Sequence, residues 1–385
     1  MIDAAGAGTP GTHRFVALHS WRGVCALLVA VHNLNFGPWT PQIDFVLHSS
    51  LFVDFFFVLS GFVISHAYDE RFAHLPDVAA FMVRRVGRLW PLHVAMLVTF
   101  ITLYFSKFAV ANLAHLSFDD SMTQEGHSLR TIVTNLLLIQ AFDTPSQLTW
   151  NAPSWTISTE FWTYFLFAVI CLSANGRRVS IFAIALIALL AAGVLLFFSP
   201  TFLETNTDYA FFRCVYGFFV GCLVYKTWQT TPPHSGGVIE ALVLLLTAGF
   251  VTIVGNDIVS MCAPLIFGLA VFVFAQEEGR VSGILSTRPF VQLGTWSYSI
   301  YMVHWLVRNI MVRSNDIVDK LIERQAIPSY MSFNHIGTTR VLLIIYLVVV
   351  VSLAALTYRF IEQPGRRYFN RRSGELSMTG RGLAR

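Results

Sequence analysis

Ten stretches of about twenty mostly apolar residues divide this chain of 385 residues, and they constrain it more than any motif does. A helix needs about 20 apolar residues to cross a bilayer. The stretches fall at 15–34, 47–68, 90–109, 155–174, 178–198, 209–228, 237–254, 257–275, 290–312 and 339–361. A further apolar run, 129–142, is too short to span and reads as an interfacial or re-entrant helix. Only 12% of the residues are charged and 55% are hydrophobic, against about 25% charged in soluble domains. The expected fold is therefore all-α, a polytopic transmembrane helical bundle of about ten spanning helices.

Charge orients the bundle. With the N-terminus inside, one side receives Arg14, Arg71, Arg84, Arg85, Arg88, Arg177, Arg178, Lys226, Arg280, Arg288 and the basic run from Arg359 to Arg385. The other receives only Lys107, Arg130, Arg313, Lys320, Arg324 and Arg340. This positive-inside bias places both termini in the cytoplasm. The expected organisation is a cytoplasmic tail (1–14), one transmembrane domain (15–365) and a basic cytoplasmic tail (366–385) with no esterase-like domain after it. Residues 1–14 lack the apolar core of a signal peptide. The location that follows is a cell membrane crossed many times, the plasma or inner membrane of a bacterium. No repeat of 20–50 residues is visible. The longest loop, about 110–154, lies on the outer face and is long enough to imply a function.

Several classes of function are excluded or weakened. No basic stripe interleaved with exposed aromatics suggests nucleic-acid binding. Cys25, Cys171, Cys214, Cys222 and Cys262 all fall in apolar segments without metal-ligand spacing; they read as small hydrophobes, and no metal is expected. There is no Gly-x-Ser-x-Gly elbow.

The informative residues are the ionisable ones within the spans. An ionised group at the bilayer centre costs roughly 2.5–3.5 kcal/mol even on permissive scales, and such groups usually face a cavity. Arg22 and His32 share the first span, separated by about 15 Å along its axis. Asp54 opens the second span, Glu160 lies one to two turns into the fourth, and Arg213 is near the outer end of the sixth. Tyr301 and His304 share a face of the ninth. The sequence reading puts His32, Asp54 and Glu160 at one depth. A histidine beside carboxylates in a low-dielectric pocket can serve as a general base; helix-to-helix hydrogen bonds that lock the bundle are the plainer reading. In Arg84-Arg85-Val-Gly-Arg88, Arg85 and Arg88 share a helical face. That arrangement suits a phosphate-rich ligand, or ordinary contact with lipid phosphates.

Taken in order, these segments resemble the membrane-bound acyltransferase family 3, which includes O-antigen and exopolysaccharide O-acetylases. Arg22 and His32 match its leading motif, with nine residues between them where the family has ten. Asp54 with Phe56-Phe57-Val-Leu-Ser60-Gly61-Phe62 resembles its second-span signature, and Arg85 and Arg88 before Trp90-Pro91 its arginine motif. Trp155 to Glu160 resembles its Trp-Ser-Leu-x-x-Glu segment, with Thr156 and Ile157 in place of Ser and Leu. Ser297 to His304 and Glu362-Gln-Pro364 close the pattern.

The resemblance implies an O-acyltransferase. Its co-substrate would be cytoplasmic acyl-CoA, with acetyl as the default acyl group. Its acceptor would be a hydroxyl of a glycan or lipid-linked saccharide, reached from the outer side. Arg84, Arg85 and Arg88 become candidate ligands for the coenzyme's phosphates. His32 becomes base or nucleophile, Asp54 or Glu160 orients it, and Arg22 steadies the oxyanion or the coenzyme. Trp155, Ser158, Tyr301 and His304 are candidate substrate contacts, and membrane lipid surrounds the whole. The competing class is a secondary transporter of a lipid-linked sugar or proton-coupled solute, since intramembrane Asp, Glu and His also build proton relays.

Overall fold

The computed structural model describes residues 15–34, 43–114, 127–142, 149–232, 236–255, 257–323 and 336–383. The expected tail of residues 1–14 lies outside the described residues. Within them every regular element is helical, as a chain that must satisfy its backbone in lipid requires.

The principal helices run in chain order from α1 (Val16–Leu34), a short α2 (Asp44–Leu47), α3 (Phe52–Tyr68), α4 (Leu75–Ala114), α5 (Leu129–Leu136), α6 (Trp155–Ser173) and α7 (Ile181–Phe198). They continue with α8 (Ala210–Thr230), α9 (Gly237–Ile253), α10 (Ala263–Phe274), α11 (Arg280–Leu285), α12 (Arg288–Glu323), α13 (Ile336–Thr357) and α14 (Gln363–Leu383). All ten apolar stretches fall on helices. Among the described residues, six helical stretches are long and apolar enough to cross a membrane: Ser49–Tyr68, Leu75–Ser106, Ala152–Ser173, Ile181–Phe198, Ala210–Thr230 and Arg340–Leu376. Gly237–Ile253 and Ile258–Phe274 are apolar but shorter; α1 and α12 carry the remaining two stretches.

Two helix pairs approach closely because glycine leaves room for backbone. A Cβ built on Gly61 of α3 would lie 1.8 Å from the Phe218 carbonyl oxygen of α8, and one on Gly221 of α8 would lie 1.9 Å from that of Val58. A Cβ on Gly23 of α1 would lie 2.4 Å from the Leu293 backbone of α12, and one on Gly294 would lie 2.2 Å from the His19 carbonyl oxygen. Small residues at such crossings replace the hydrophobic drive that lipid cannot supply.

Two boundaries differ from the sequence reading. The third apolar stretch was expected to begin at residue 90, but α4 begins at Leu75 and continues through Pro91 for 40 residues. At 1.5 Å per residue it is about 60 Å long, twice the hydrocarbon thickness of a bilayer. Its first half carries Arg84, Arg85 and Arg88. A proline inside a helix normally kinks or breaks it. Here the helix is pinned around it: Trp90 Nε1 donates to the Leu136 carbonyl (3.0 Å), His93 Nε2 bonds that of Asn135 (2.9 Å), and Tyr298 Oη donates to that of Leu89 (2.5 Å). The second difference is the basic C-terminal stretch expected as a tail. Most of it is α14, which packs along the first half of α4. A wide π-type turn, Tyr358–Glu362, joins it to α13 and turns Glu362 inward.

The 129–142 run is α5 plus a turn. Ser128 caps α5 through Thr131, each side chain accepting from the other's backbone N–H. The turn after it is clamped to α6, as the site geometry shows.

Candidate active site

A cavity with about 720 Å³ of space, its open mouth included, lies between α1, α3, α4, α6 and α12. Arg22, Arg85, Arg88, Glu160 and Tyr301, all singled out in the sequence, line it. So do Ser60, Tyr164 and Tyr298. The apolar faces of α3 and α6 supply the rest of the wall.

The polar floor is organised around Glu160. Ser60 Oγ donates to Glu160 Oε1 at 2.7 Å and lies 2.6 Å from Tyr164 Oη. Tyr164 Oη also donates to Glu160 Oε1. This closed triangle joins α3 to α6. Arg22 and Arg88 are within electrostatic reach of Glu160 and Tyr164. Arg85 packs its guanidinium against the rings of Phe81 (5.2 Å), Tyr164 (5.5 Å) and Tyr68 (5.8 Å). Such stacking holds a guanidinium in place while leaving its edge free for an anion.

The remaining candidates lie elsewhere. Asp54 does not reach His32. It is fully buried and takes both Nε (2.9 Å) and Nη2 (2.7 Å) of Arg213 on α8. Trp155 is not a cavity contact either: it is buried, with the Arg213 guanidinium 5.5 Å over its ring. Ser158 is fully buried, donating to the Leu138 carbonyl at 2.7 Å and accepting from Ala141 N at 3.3 Å. With Trp162 Nε1 on the same carbonyl (2.9 Å), it clamps the turn after α5. Arg84 is turned from the cavity because Tyr68 Oη (3.1 Å) and Ser373 Oγ (2.8 Å) take its Nε and Nη1.

His32 is half-buried near the end of α1, outside the cavity. Its Nδ1 lies 3.2 Å from the Val46 carbonyl. His304 is fully buried, with Nδ1 2.7 Å from the Tyr301 carbonyl. A carbonyl only accepts, so in each ring Nδ1 carries the proton and Nε2 is the basic nitrogen. The two histidines are within electrostatic reach of each other. The His304 ring lies 5.7 Å from that of Tyr301, which faces the cavity. The single-depth cluster of His32, Asp54 and Glu160 is therefore absent. Asp54 faces α8, Glu160 faces α3, and His32 faces α2.

Reading the sequence missed Tyr164 and gave Ser60 no role. Tyr164 stands four residues after Glu160, a spacing that puts both on one face. Among the described residues no group of three or more His, Cys, Asp or Glu side chains could hold a metal ion. All five cysteines are free thiols, and four of them are buried.

A polytopic helical bundle around a basic, partly polar cavity defines a membrane enzyme more readily than a scaffold, and comparison with known proteins gives the class. The family model described as an acyltransferase domain matches residues 15–359. The chain belongs to acyltransferase family 3 and is a multi-pass membrane O-acyltransferase. It is 26% identical over 277 residues to the acyltransferase MdmB of Streptomyces mycarofaciens, covering 67% of this chain and 68% of that one. It is 24% identical over 396 aligned positions to the candidate peptidoglycan O-acetyltransferase YrhL of Bacillus subtilis, covering 94% of this chain but 57% of that protein. It is 30% identical over 155 residues to protein 2 of the picA locus of Rhizobium radiobacter, covering 38% of this chain and 77% of that one. No solved structure matches.

Proposed function

We propose that this acyltransferase moves an acyl group, acetyl by similarity to the O-acetyltransferase relative, from acyl-CoA to a hydroxyl of a glycan or lipid-linked saccharide. One observation carries the reading: a single cavity collects Arg22, Arg85 and Arg88 at the flank of Glu160, Ser60 and Tyr164. Guanidiniums suit the phosphates of a coenzyme, and the apolar part of the cavity wall suits its arm. In this reading, which the positive-inside bias of the sequence supports, the arginine end faces the cytoplasm, where acyl-CoA is available, in a bundle of about ten spans with both termini on that side. In this reading the membrane is a bacterial plasma membrane.

The reaction joins an acceptor hydroxyl to the acyl carbon and expels the coenzyme thiol. The hydroxyl proton moves to His32 Nε2, the oxygen attacks the thioester carbonyl, the C–S bond breaks, and the thiolate takes the proton. Arg22 stabilises the oxyanion or holds the coenzyme. Glu160 balances the arginines and fixes the hydroxyls of Ser60 and Tyr164. Tyr301 lines the cavity and His304, its ring 5.7 Å away, is within electrostatic reach of His32; in this reading the thioester and the acceptor hydroxyl meet at that end, next to His32. Asp54 and Arg213 support the wall.

Purified protein incubated with labelled acetyl-CoA and a saccharide acceptor tests the proposal. Release of free thiol that depends on acceptor, with label recovered as an ester, is expected. A transporter would release none, and that outcome overturns the reading.

A further inference from the structure

Three guanidiniums line the cavity, and a fourth, from the C-terminal helix, lies within electrostatic reach of them. Glu362 is 3% exposed at the end of the π-type turn, accepting from Ser299 Oγ at 2.8 Å. Arg366, one turn further along α14, is 36% exposed and reaches Glu362 Oε1 with Nη1 at 3.4 Å. Among the described residues this is its one hydrogen bond, which leaves most of its five N–H donors unused.

Its position is fixed by close packing. A Cβ on Gly365 would lie 2.5 Å from Pro91 Cγ, and one on Gly87 would lie 2.3 Å from Phe369 Cβ. This contact between α14 and α4 holds Arg366 within electrostatic reach of Arg85 and Arg88, and also of Arg22. Among the described residues, the carboxylates that act on Arg22, Arg88 and Arg366 are those of Glu160 and Glu362. Gathering like charges in a low-dielectric site is unfavourable unless an anion joins them.

Arg22, Arg85 and Arg88 line the cavity, whereas Arg366, 36% exposed, stands outside its lining. A donor with its acyl end inside the cavity leaves its nucleotide phosphates toward the mouth. The diphosphate comes first along that molecule, and the phosphate on the ribose is further from the acyl end.

Resting on the acyl-CoA reading above, we infer that Arg366 binds the ribose 3′-phosphate of the donor, while Arg85 and Arg88 hold its diphosphate. The C-terminal helix is then part of the donor site. The chemistry recognised is a phosphate monoester, which a lipid headgroup could mimic, so the experiment separates the two.

Binding of coenzyme A and of 3′-dephospho-coenzyme A is measured on the full chain in phosphatidylcholine nanodiscs, with and without phosphatidylglycerol. The wild-type protein is expected to prefer coenzyme A by about tenfold, the worth of one charge-assisted hydrogen bond. Arg366→Gln is expected to bring that ratio near one, and Arg88→Gln to weaken both ligands alike. An unchanged ratio in Arg366→Gln overturns the assignment. So does a variant effect seen only with phosphatidylglycerol, which makes Arg366 a lipid contact. Equal binding of both ligands by the wild-type protein overturns it without any variant, which covers failure of Arg366→Gln to fold. A wild-type protein that binds neither ligand removes the donor reading itself.

Discussion

Asp54 and Arg213 form a two-pronged ion pair between α3 and α8, at 2.9 and 2.7 Å, with side chains 0% and 3% exposed. Arg213 also donates to the Thr205 carbonyl at 3.3 Å and stacks on Trp155. Each guanidinium nitrogen and each carboxylate oxygen of the pair has a partner, so the pair is committed to joining the helices. Removing one partner leaves an uncompensated buried charge, which costs about 3–5 kcal/mol. Arg213→Met is expected to lower the thermal midpoint in detergent sharply, and Asp54→Leu with Arg213→Met together to restore most of it. Fluorescence-detected gel filtration after heating checks this. A double variant as unstable as the single one would show that the pair does more than compensate charge.

His32 stands apart from the cavity, so its role separates from donor binding. His32→Ala is expected to reduce transfer at least a hundredfold, as loss of a general base does, while the affinity for coenzyme A changes less than twofold. Acyl transfer and coenzyme binding measured on one preparation give both values. Transfer at the wild-type rate would remove His32 from the chemistry.

Glu160 and Ser60 share the cavity floor. Glu160→Gln removes one of the few negative charges near Arg22 and Arg88, and is expected to cut kcat more than tenfold. Ser60→Ala loses one hydrogen bond to a carboxylate that Tyr164 still holds, and is expected to cut it only severalfold. Steady-state kinetics with labelled acetyl-CoA distinguishes them; equal effects would mean that Ser60 does more than hold the carboxylate.

Outside the spans, Glu70 accepts from Arg178 Nε, and this bond with the guanidinium's charge holds its carboxyl below the usual glutamate range. A depressed folded value adds stability above the unfolded value, about pH 4.3, and loses it as pH falls through the folded value. Both groups are largely exposed, so the effect is small. Arg178→Gln is expected to leave the thermal midpoint nearly unchanged at low pH and to lower it slightly at pH 7, most visibly at low salt. A larger loss at low pH would contradict this sign.

Sequence by itself determined the helical class, the positions of the apolar segments, the family and half of the cavity's polar wall. Arg22, Arg85, Arg88, Glu160 and Tyr301 were legible because an ionisable or polar group among apolar residues is costly and so stands out locally. Spacing along one helix also made Arg85 and Arg88 a pair. What one helix cannot encode is which neighbour its polar face meets. Similar depth makes Asp54 or Glu160 the expected partner of His32, yet Arg213, distant in sequence and on another helix, holds Asp54. Ser158 and Arg84 looked like site residues because they sit in the right motifs; the packing of α6 on the turn after α5, and of α14 on α4, gave them other partners. Ser60 and Tyr164 gained their connection to Glu160, and Arg366 its place beside the cavity arginines, only through rotations and crossings of helices. Those are set by contacts between distant segments, such as Gly61 against Phe218 and Gly365 against Pro91, so tertiary structure alone decided them.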